Sequence, residues 1–221
     1  MDSQNKLASL DVKRLVGIAM FAALAYATTF VFRIPVQFLT FDAKDAVLTI
    51  AAFIYGPSAA ITMALIPALI EFITISDTGF WGLLMNFVSS ATFSFTASLI
   101  YKYKRSFNGA IIGIYAAVIA TTAIMIPMNI FVTPVYMGVP RQAVINLLPT
   151  LLVPFNFAKS LMNAAITMLI YKPVSLAMKR ARLIPGKVDV KFNKQSVIMI
   201  AAGVFTLAAA ITMFVVLRAQ G

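Results

Sequence analysis

The chain of 221 residues is 61% hydrophobic and only 11% charged, with a formal net charge of +11. A soluble domain carries roughly 25% charged residues, so the composition excludes a water-soluble globular protein and predicts an all-α, polytopic membrane protein. Because the chain has neither Cys nor His, the composition also excludes disulfides, thiol catalysis and Cys/His metal sites.

Apolar segments of about 20 residues, the length that spans a membrane as a helix, recur along the chain. The first predicted helix covers residues 12–32, and a polar stretch over residues 33–45 follows it. The apolar region 46–75 is predicted to form two short helices divided at Gly56-Pro57, because Pro suits the first turn of a helix. We expect the first of these two helices to be tilted or to span the membrane only partly. Further helices are predicted over residues 80–101, 108–131, 154–171 and 196–217.

These segments divide the chain into three parts. Residues 1–180 are predicted to form a six-helix membrane core. Residues 181–195 are predicted to form a basic cytoplasmic linker. Residues 196–217 are long and apolar enough to form an additional C-terminal transmembrane helix.

The Lys and Arg residues define an orientation, because cytoplasmic loops of membrane proteins are enriched in both. With the N-terminus in the cytoplasm, 13 of the 18 basic residues lie on the cytoplasmic side, and Lys159 lies at membrane depth. The four that lie outside are Arg33, Lys44, Arg141 and Arg218. The sequence therefore predicts a multi-pass cell-membrane protein, surrounded by lipid, with a cytoplasmic N-terminus and no nucleic-acid partner.

Three polar residues share one face at the start of the sixth predicted helix. Asn156 and Lys159 are three residues apart, and Asn163 is four residues further on, a spacing that places their side chains on one side of a helix. A Lys near a helix end can extend its charge to the membrane surface. The two Asn residues beside Lys159 favour a binding site instead, because ionisable residues inside a membrane usually face a protein interior or a wet cavity.

Other polar residues are predicted near the external side of the membrane. Taken alone, the segment Phe41-Asp42-Ala43-Lys44-Asp45 is best explained as a solvated loop. Asn129, near the outer end of the fifth helix, is alone best explained as a helix-packing hydrogen bond. Glu71 is expected to pair with a neighbouring polar group.

The shared external placement of these residues is a stronger signal than any one of them. It predicts a single outward-facing pocket lined by Asp42, Asn129, Asn156 and Lys159. Aromatic residues are expected nearby, among them Phe41, Trp81 and Tyr136. Such a pocket suits a flat, polyhydroxylated ligand, since aromatic side chains stack on rings and amides bond to ring edges.

Ala19, Ala23 and Ala27 lie at four-residue intervals on the first helix. Small residues at this spacing let another helix approach closely, although Ala as a general helix residue explains the pattern almost as well. The chain contains no Walker A phosphate-binding loop. Any ATPase that powers a transport activity would therefore be a separate polypeptide.

Two motifs are distinctive. One is Pro-Phe-Asn-Phe-Ala-Lys, which ends at Lys159, and the other is Pro-Met-Asn-Ile-Phe-Val-Thr-Pro-Val-Tyr, which contains Asn129 and ends at Tyr136. An Asp-x-x-Asp motif, Asp42 to Asp45, precedes a Tyr-Gly-Pro that ends at Pro57. Together these motifs resemble those of the substrate-binding S components of energy-coupling factor (ECF) vitamin transporters, in particular the riboflavin members. The similarity covers roughly residues 12–179.

The resemblance implies a six-helix core, riboflavin as the transported ligand, and a partner module of one membrane coupling subunit and two ATPase subunits. It implies that Asn129 pairs with the pyrimidine edge of the flavin, and that Asp42, Asn156 and Lys159 hold the ribityl hydroxyls. It also implies that the Ala stripe of the first helix docks on the coupling subunit. The chain would then be a binding subunit rather than an enzyme, with no metal and no cofactor besides the transported riboflavin. The predicted C-terminal helix departs from the family, whose members usually end after the sixth helix.

Two alternative functions are compatible with parts of the pattern. An S component for FMN or another vitamin would share every feature described so far. A membrane-embedded lipid enzyme has less support, because the chain lacks His and Cys and its acidic residues are scattered. Purification distinguishes the two classes, since a flavin carrier would be yellow and a lipid enzyme colourless.

Overall fold

A computed structural model describes residues 3–181 and 194–219, and nearly all of them are helical. A hairpin of two short strands follows the first helix, and a π-helical turn (Leu148–Leu152) precedes the seventh. The elements in chain order are α1 (Ser3–Val31), β1 (Ile34–Val36), β2 (Leu39–Phe41), α2 (Lys44–Tyr55), α3 (Pro57–Thr74), α4 (Gly79–Tyr103), α5 (Phe107–Met137), α6 (Arg141–Leu147), α7 (Val153–Arg180) and α8 (Lys194–Ala219).

The helix lengths confirm the predicted membrane architecture. Among the described residues, six segments are long and apolar enough to cross a membrane: α1 from Val12, α3, α4, α5, the segment formed by α6 and α7, and α8. α2 has 12 residues, fewer than the roughly 20 that a span requires. The six-helix core therefore consists of α1–α5 and α7, and α8 is the additional C-terminal helix.

Glycine, proline and serine define several helix ends. Gly56, between α2 and α3, has a φ of 92°, a left-handed conformation that glycine adopts without steric cost. Pro57 is the first residue of α3, as the sequence predicted. Before α5, the Ser106 hydroxyl accepts a hydrogen bond from the Gly109 N–H at 3.1 Å. α5 ends at Met137, and the next residue, Gly138, has a φ of 65°, which is typical just after a helix C-terminus.

The expectation of a solvated loop between the first two helices is wrong. The chain there forms the antiparallel hairpin β1–β2, in which Ile34 pairs with Phe41 and Val36 with Leu39. Val36 and Phe41 are buried and pack with apolar residues of α7 and α8. The hairpin therefore turns its C-terminal end inward and delivers Asp42 to the interior of the bundle.

α5 continues beyond its predicted end at residue 131. It passes through Pro127 and Pro134, because membrane helices tolerate Pro where neighbouring groups satisfy the freed carbonyls. Between these prolines, the Asn129 side chain donates to the Met125 carbonyl at 2.6 Å. The longer helix carries both Asn129 and Tyr136 within one rigid element.

α7 packs against α2, α5 and α8. α8 runs antiparallel to α7 along most of its length. Near one end the Lys172 ammonium donates to the Ser196 hydroxyl at 3.0 Å, and near the other the rings of Phe155 and Phe214 lie 5.9 Å apart. Residues 182–193, most of the predicted linker, lie outside the described residues.

Candidate ligand-binding site

A cavity of about 190 Å³ lies between the hairpin and helices α1, α3, α4, α5 and α7, at the end of the bundle where α7 begins. We call it the outer cavity. Seven of its lining residues are buried polar or charged side chains: Thr29, Asp42, Glu71, Ser89, Asn129, Asn156 and Lys159. Five of the eight predicted ligand residues line it: Asp42, Asn129, Tyr136, Asn156 and Lys159.

The other three predicted ligand residues lie outside this lining. Phe41 is buried behind the cavity, with its ring 5.2 Å from that of Phe214 on α8. Trp81 is 36% exposed on α4, with its ring 5.6 Å from that of Phe80. Asn163 is fully buried among backbone groups. Sequence reasoning grouped these three by helix face or membrane side, neither of which specifies the distance to a cavity.

Asp42 and Lys159 form the centre of the polar lining. The Lys159 ammonium donates to Asp42 Oδ2 at 2.9 Å, and Lys44 Nζ lies 3.8 Å from the same oxygen. The Lys44 backbone N–H donates to Asp42 Oδ1 at 3.3 Å. Burial alone would raise the pKa of Asp42, but the charges of Lys159 and Lys44 lower it to about 2. Asp42 is therefore an anion that holds the Lys159 ammonium at the cavity wall.

A second ion pair, between Lys44 and Glu71, lies beside the first. Lys44 is only 1% exposed, and its Nζ lies 2.7 Å from each carboxylate oxygen of Glu71. The same carboxylate accepts hydrogen bonds from Asn86 on α4 at 3.0 Å and from Thr29 on α1 at 3.3 Å. The expected polar partner of Glu71 is thus confirmed, whereas the prediction that Lys44 is an external loop residue is wrong. Glu71, Asn86 and Thr29 line the outer cavity, although sequence reasoning did not place them in the pocket.

Asn163 supports the cavity from behind. Its side-chain oxygen accepts a hydrogen bond from the Ala46 N–H at 3.0 Å, one of the first N–H groups of α2, which have no partner within their own helix. Its amide nitrogen donates to the backbone carbonyls of Asp42 at 3.0 Å and Lys159 at 3.1 Å. Asn163 therefore fixes the positions of Asp42 and Lys159 without facing the cavity.

Asn129 and Asn156 present amide groups to the outer cavity. Each donates one N–H to the carbonyl four residues earlier, at 2.6 Å to Met125 and 2.7 Å to Leu152. The Asn129 oxygen also accepts from the Thr133 hydroxyl at 3.1 Å. No group in the described part of the chain donates to the side-chain oxygen of Asn156. Since an amide offers two N–H donors and an oxygen with two lone pairs, both residues retain hydrogen-bonding groups for a ligand.

A second and larger cavity, of about 490 Å³, lies at the opposite end of the bundle between α4, α5, α7 and α8. Its polar lining consists of Gln195, Lys172, Lys179 and several hydroxyl groups, none of which is buried. Specific ligand sites combine an enclosed surface with a few convergent polar groups. The outer cavity fits that description better, because buried amides and charges converge there.

The Ala stripe on α1 faces away from the bundle. Ala19, Ala23 and Ala27 are exposed, whereas Ala22 and Ala25 are completely buried against the neighbouring helices. The three small side chains thus form a continuous face that no described element covers. Another helix could approach this face closely.

Comparison with known families agrees with this architecture. A family model described as "ECF transporter, substrate-specific component" matches residues 13–175. The chain belongs to this family of ECF S components. Family membership places it among transporter subunits with several membrane spans, a class that works with a coupling module and ATPases and is not a class of enzymes.

Individual relatives extend over most of this S component. It is 34% identical over 191 residues to the riboflavin transporter RibU of Staphylococcus aureus (strain TCH60), covering 81% of this chain and all of that protein. It is 24% identical over 174 residues to the riboflavin transporter FmnP of Bacillus subtilis (strain 168), covering 73% of this chain and 92% of the relative. A solved S component, from a study of the structure and mechanism of the S component of a bacterial ECF transporter, superposes with a TM-score of 0.65 and 32% identity. That match covers 77% of this chain and 99% of the solved one.

Proposed function

We propose that this S component binds riboflavin in the outer cavity and delivers it into the cell through an ATP-driven coupling module. The observation that carries the proposal is the convergence of Asn129, Asn156 and the Asp42–Lys159 pair on one cavity. The relative named riboflavin transporter RibU, which is 34% identical and fully covered by this chain, supports the same ligand.

The chemistry of riboflavin matches the available groups. The flavin ring is flat, and its pyrimidine edge alternates hydrogen-bond donors and acceptors, which an amide can pair with through both of its polar atoms. In the proposed complex Asn129 contacts this edge. The hydroxyls of the ribityl chain donate and accept, so they bond to the Asp42 carboxylate, the Asn156 amide and the Lys159 ammonium.

Transport requires partners that this chain does not contain. The sequence has no Walker A loop, so we propose two separate ATPase subunits and one membrane coupling subunit. The exposed Ala stripe of α1 is the proposed docking face for the coupling subunit. With the N-terminus in the cytoplasm, as the distribution of Lys and Arg indicates, the outer cavity opens to the outside. In this role the subunit binds substrate without chemical conversion, and it needs no metal or cofactor.

Fluorescence titration of the purified full chain tests the ligand assignment. Riboflavin should bind with saturable quenching of its fluorescence, because the ring is buried beside Tyr136 and Phe155, which line the cavity. Thiamine, a vitamin of different shape, serves as the competitor control. Saturable displacement of riboflavin by thiamine, or the absence of saturable flavin binding, would contradict the proposal.

A further inference from the structure

α8 forms a second wall behind the ligand-binding core. The matched family region ends at residue 175, so α8 lies outside it. Residues at intervals of three or four along α8 are buried and face the bundle: Met199, Gly203, Thr206, Ala210, Phe214 and Leu217. In the middle of the helix the Thr206 hydroxyl lies 2.7 Å from the Tyr115 hydroxyl of α5. α8 is thus packed on the core by one continuous face.

Phe214 connects this face to two residues beside the ligand-facing groups, although it does not line the outer cavity itself. Its ring lies 5.2 Å from Phe41 and 5.9 Å from Phe155, edge to face in both cases. Phe41 ends the hairpin and directly precedes Asp42, and Phe155 directly precedes Asn156. The Phe214 ring therefore contacts the residue next to Asp42 on the hairpin and the residue next to Asn156 on α7.

We infer that α8 is a brace for the outer cavity and that Phe214 is a positioning residue, which holds the hairpin and the first turn of α7 at a fixed separation. The ligand in this inference rests on the proposed function, whereas the brace itself does not. A two-stranded hairpin is only marginally stable by itself, so its position depends on the surfaces that its buried side chains contact. For Phe41, the contact surface includes Phe214 and other apolar residues of α7 and α8.

The full-length variant Phe214→Ala tests the brace. Phe205→Ala is a matched control, because it makes the same change on the same helix at a side chain that is 78% exposed. Amide hydrogen exchange in residues 34–41 should be at least about fivefold faster in Phe214→Ala than in the parent, because local stability reflects buried apolar contacts. In Phe205→Ala the amides of residues 34–41 should exchange at the parent's rate.

Flavin affinity provides the second measurement. Phe214→Ala should weaken riboflavin binding by about tenfold, the scale on which contacting residues couple. Lumiflavin has the same ring system without the ribityl chain. Its affinity for Phe214→Ala should therefore fall less than threefold if the displaced groups are Asp42 and Asn156. A general loss of structure would weaken both flavins equally. Phe214→Leu retains most of the apolar volume and should show the same pattern to a smaller degree if the Ala variant fails to fold.

Hairpin exchange at the parent's rate in the Phe214 variants would overturn the inference, as would an equal loss of affinity for both flavins. If the parent chain binds no flavin, the proposed function fails, and hairpin exchange alone then decides whether α8 is a brace. Faster exchange confined to the Phe214 variants would support the brace in that case also.

Discussion

Lys159 and Asp42 are 117 residues apart in the sequence, yet the Lys159 ammonium lies 2.9 Å from Asp42 Oδ2 with both residues buried. This pairing changes the expected role of Lys159. An ammonium has three N–H donors, and one of them is committed to Asp42. Two donors remain, so Lys159 can be both a structural partner of the hairpin and the proposed donor to the ligand.

Lys159→Met should weaken riboflavin binding by roughly 10- to 150-fold, because hydrogen bonds to a charged group contribute about 1.5–3 kcal/mol. The change should also lower the melting temperature, since breaking one partner of a buried ion pair costs about 3–5 kcal/mol. Fluorescence titration and thermal unfolding of the same preparation measure the two effects. A Lys159 that merely extended to the membrane surface would leave affinity unchanged.

The double variant Asp42→Asn/Lys159→Met separates the two roles of Lys159. It removes both charges, so it should recover part of the stability that Lys159→Met loses while its riboflavin affinity stays low. The two substitutions should therefore be non-additive in stability, as expected for residues in direct contact. Strictly additive losses would show that the pair does not couple.

Asn156 and Asn163 lie on the same face of α7 but should respond differently to Ala. Asn156→Ala removes a group that lines the cavity and should cost about 1 kcal/mol of binding, or roughly fivefold in affinity, with little change in melting temperature. Asn163→Ala leaves the Ala46 N–H and the Asp42 carbonyl without their partner, so its main effect should be a lower melting temperature. Each variant is the control for the other in paired titration and unfolding experiments.

Ala23→Trp should abolish uptake in proteoliposomes that contain the coupling module, while riboflavin binding to the isolated chain stays at the parent's level. The large ring would separate α1 from a helix docked on the Ala stripe. Val204→Trp, at an exposed position on α8, is the control and should transport normally. Equal uptake by both variants would remove the Ala stripe as the docking face.

Riboflavin should bind at least about tenfold more tightly than FMN, because burying an uncompensated charge is costly. Each described cation at or beside the cavity is already paired with a carboxylate: Lys159 with Asp42, Lys44 with Glu71, and Arg33 with Asp77. Asp45, which accepts a hydrogen bond from Ser90, adds a further buried acidic group. Competition of FMN against riboflavin in the fluorescence assay measures the ratio, and equal affinities would contradict this charge argument.

The spacing of residues along the sequence was enough to predict the membrane class, the helices and one face of the site. Apolar length predicted the membrane class and the helices, and helical periodicity placed Asn156 and Lys159 on one face. Both signals depend on residues within a few turns of one another, and lipid selects apolar length directly. The end of α5 was predicted too early, because Pro134 resembles a helix stop unless the neighbouring helices are known.

Only the tertiary structure decided which polar residues are buried. Lys44 belongs to a short polar stretch that looks solvated, yet its partner Glu71 lies 27 residues away on another helix. The sequence suggested Phe41 and Asn163 as ligand contacts. In the structure the Phe41 ring packs against Phe214, and the Asn163 side chain bonds to the start of α2. A charge or an aromatic ring is buried only when distant elements supply its partner or its packing surface. That information lies in the arrangement of the helices and not in the residues next to it along the chain.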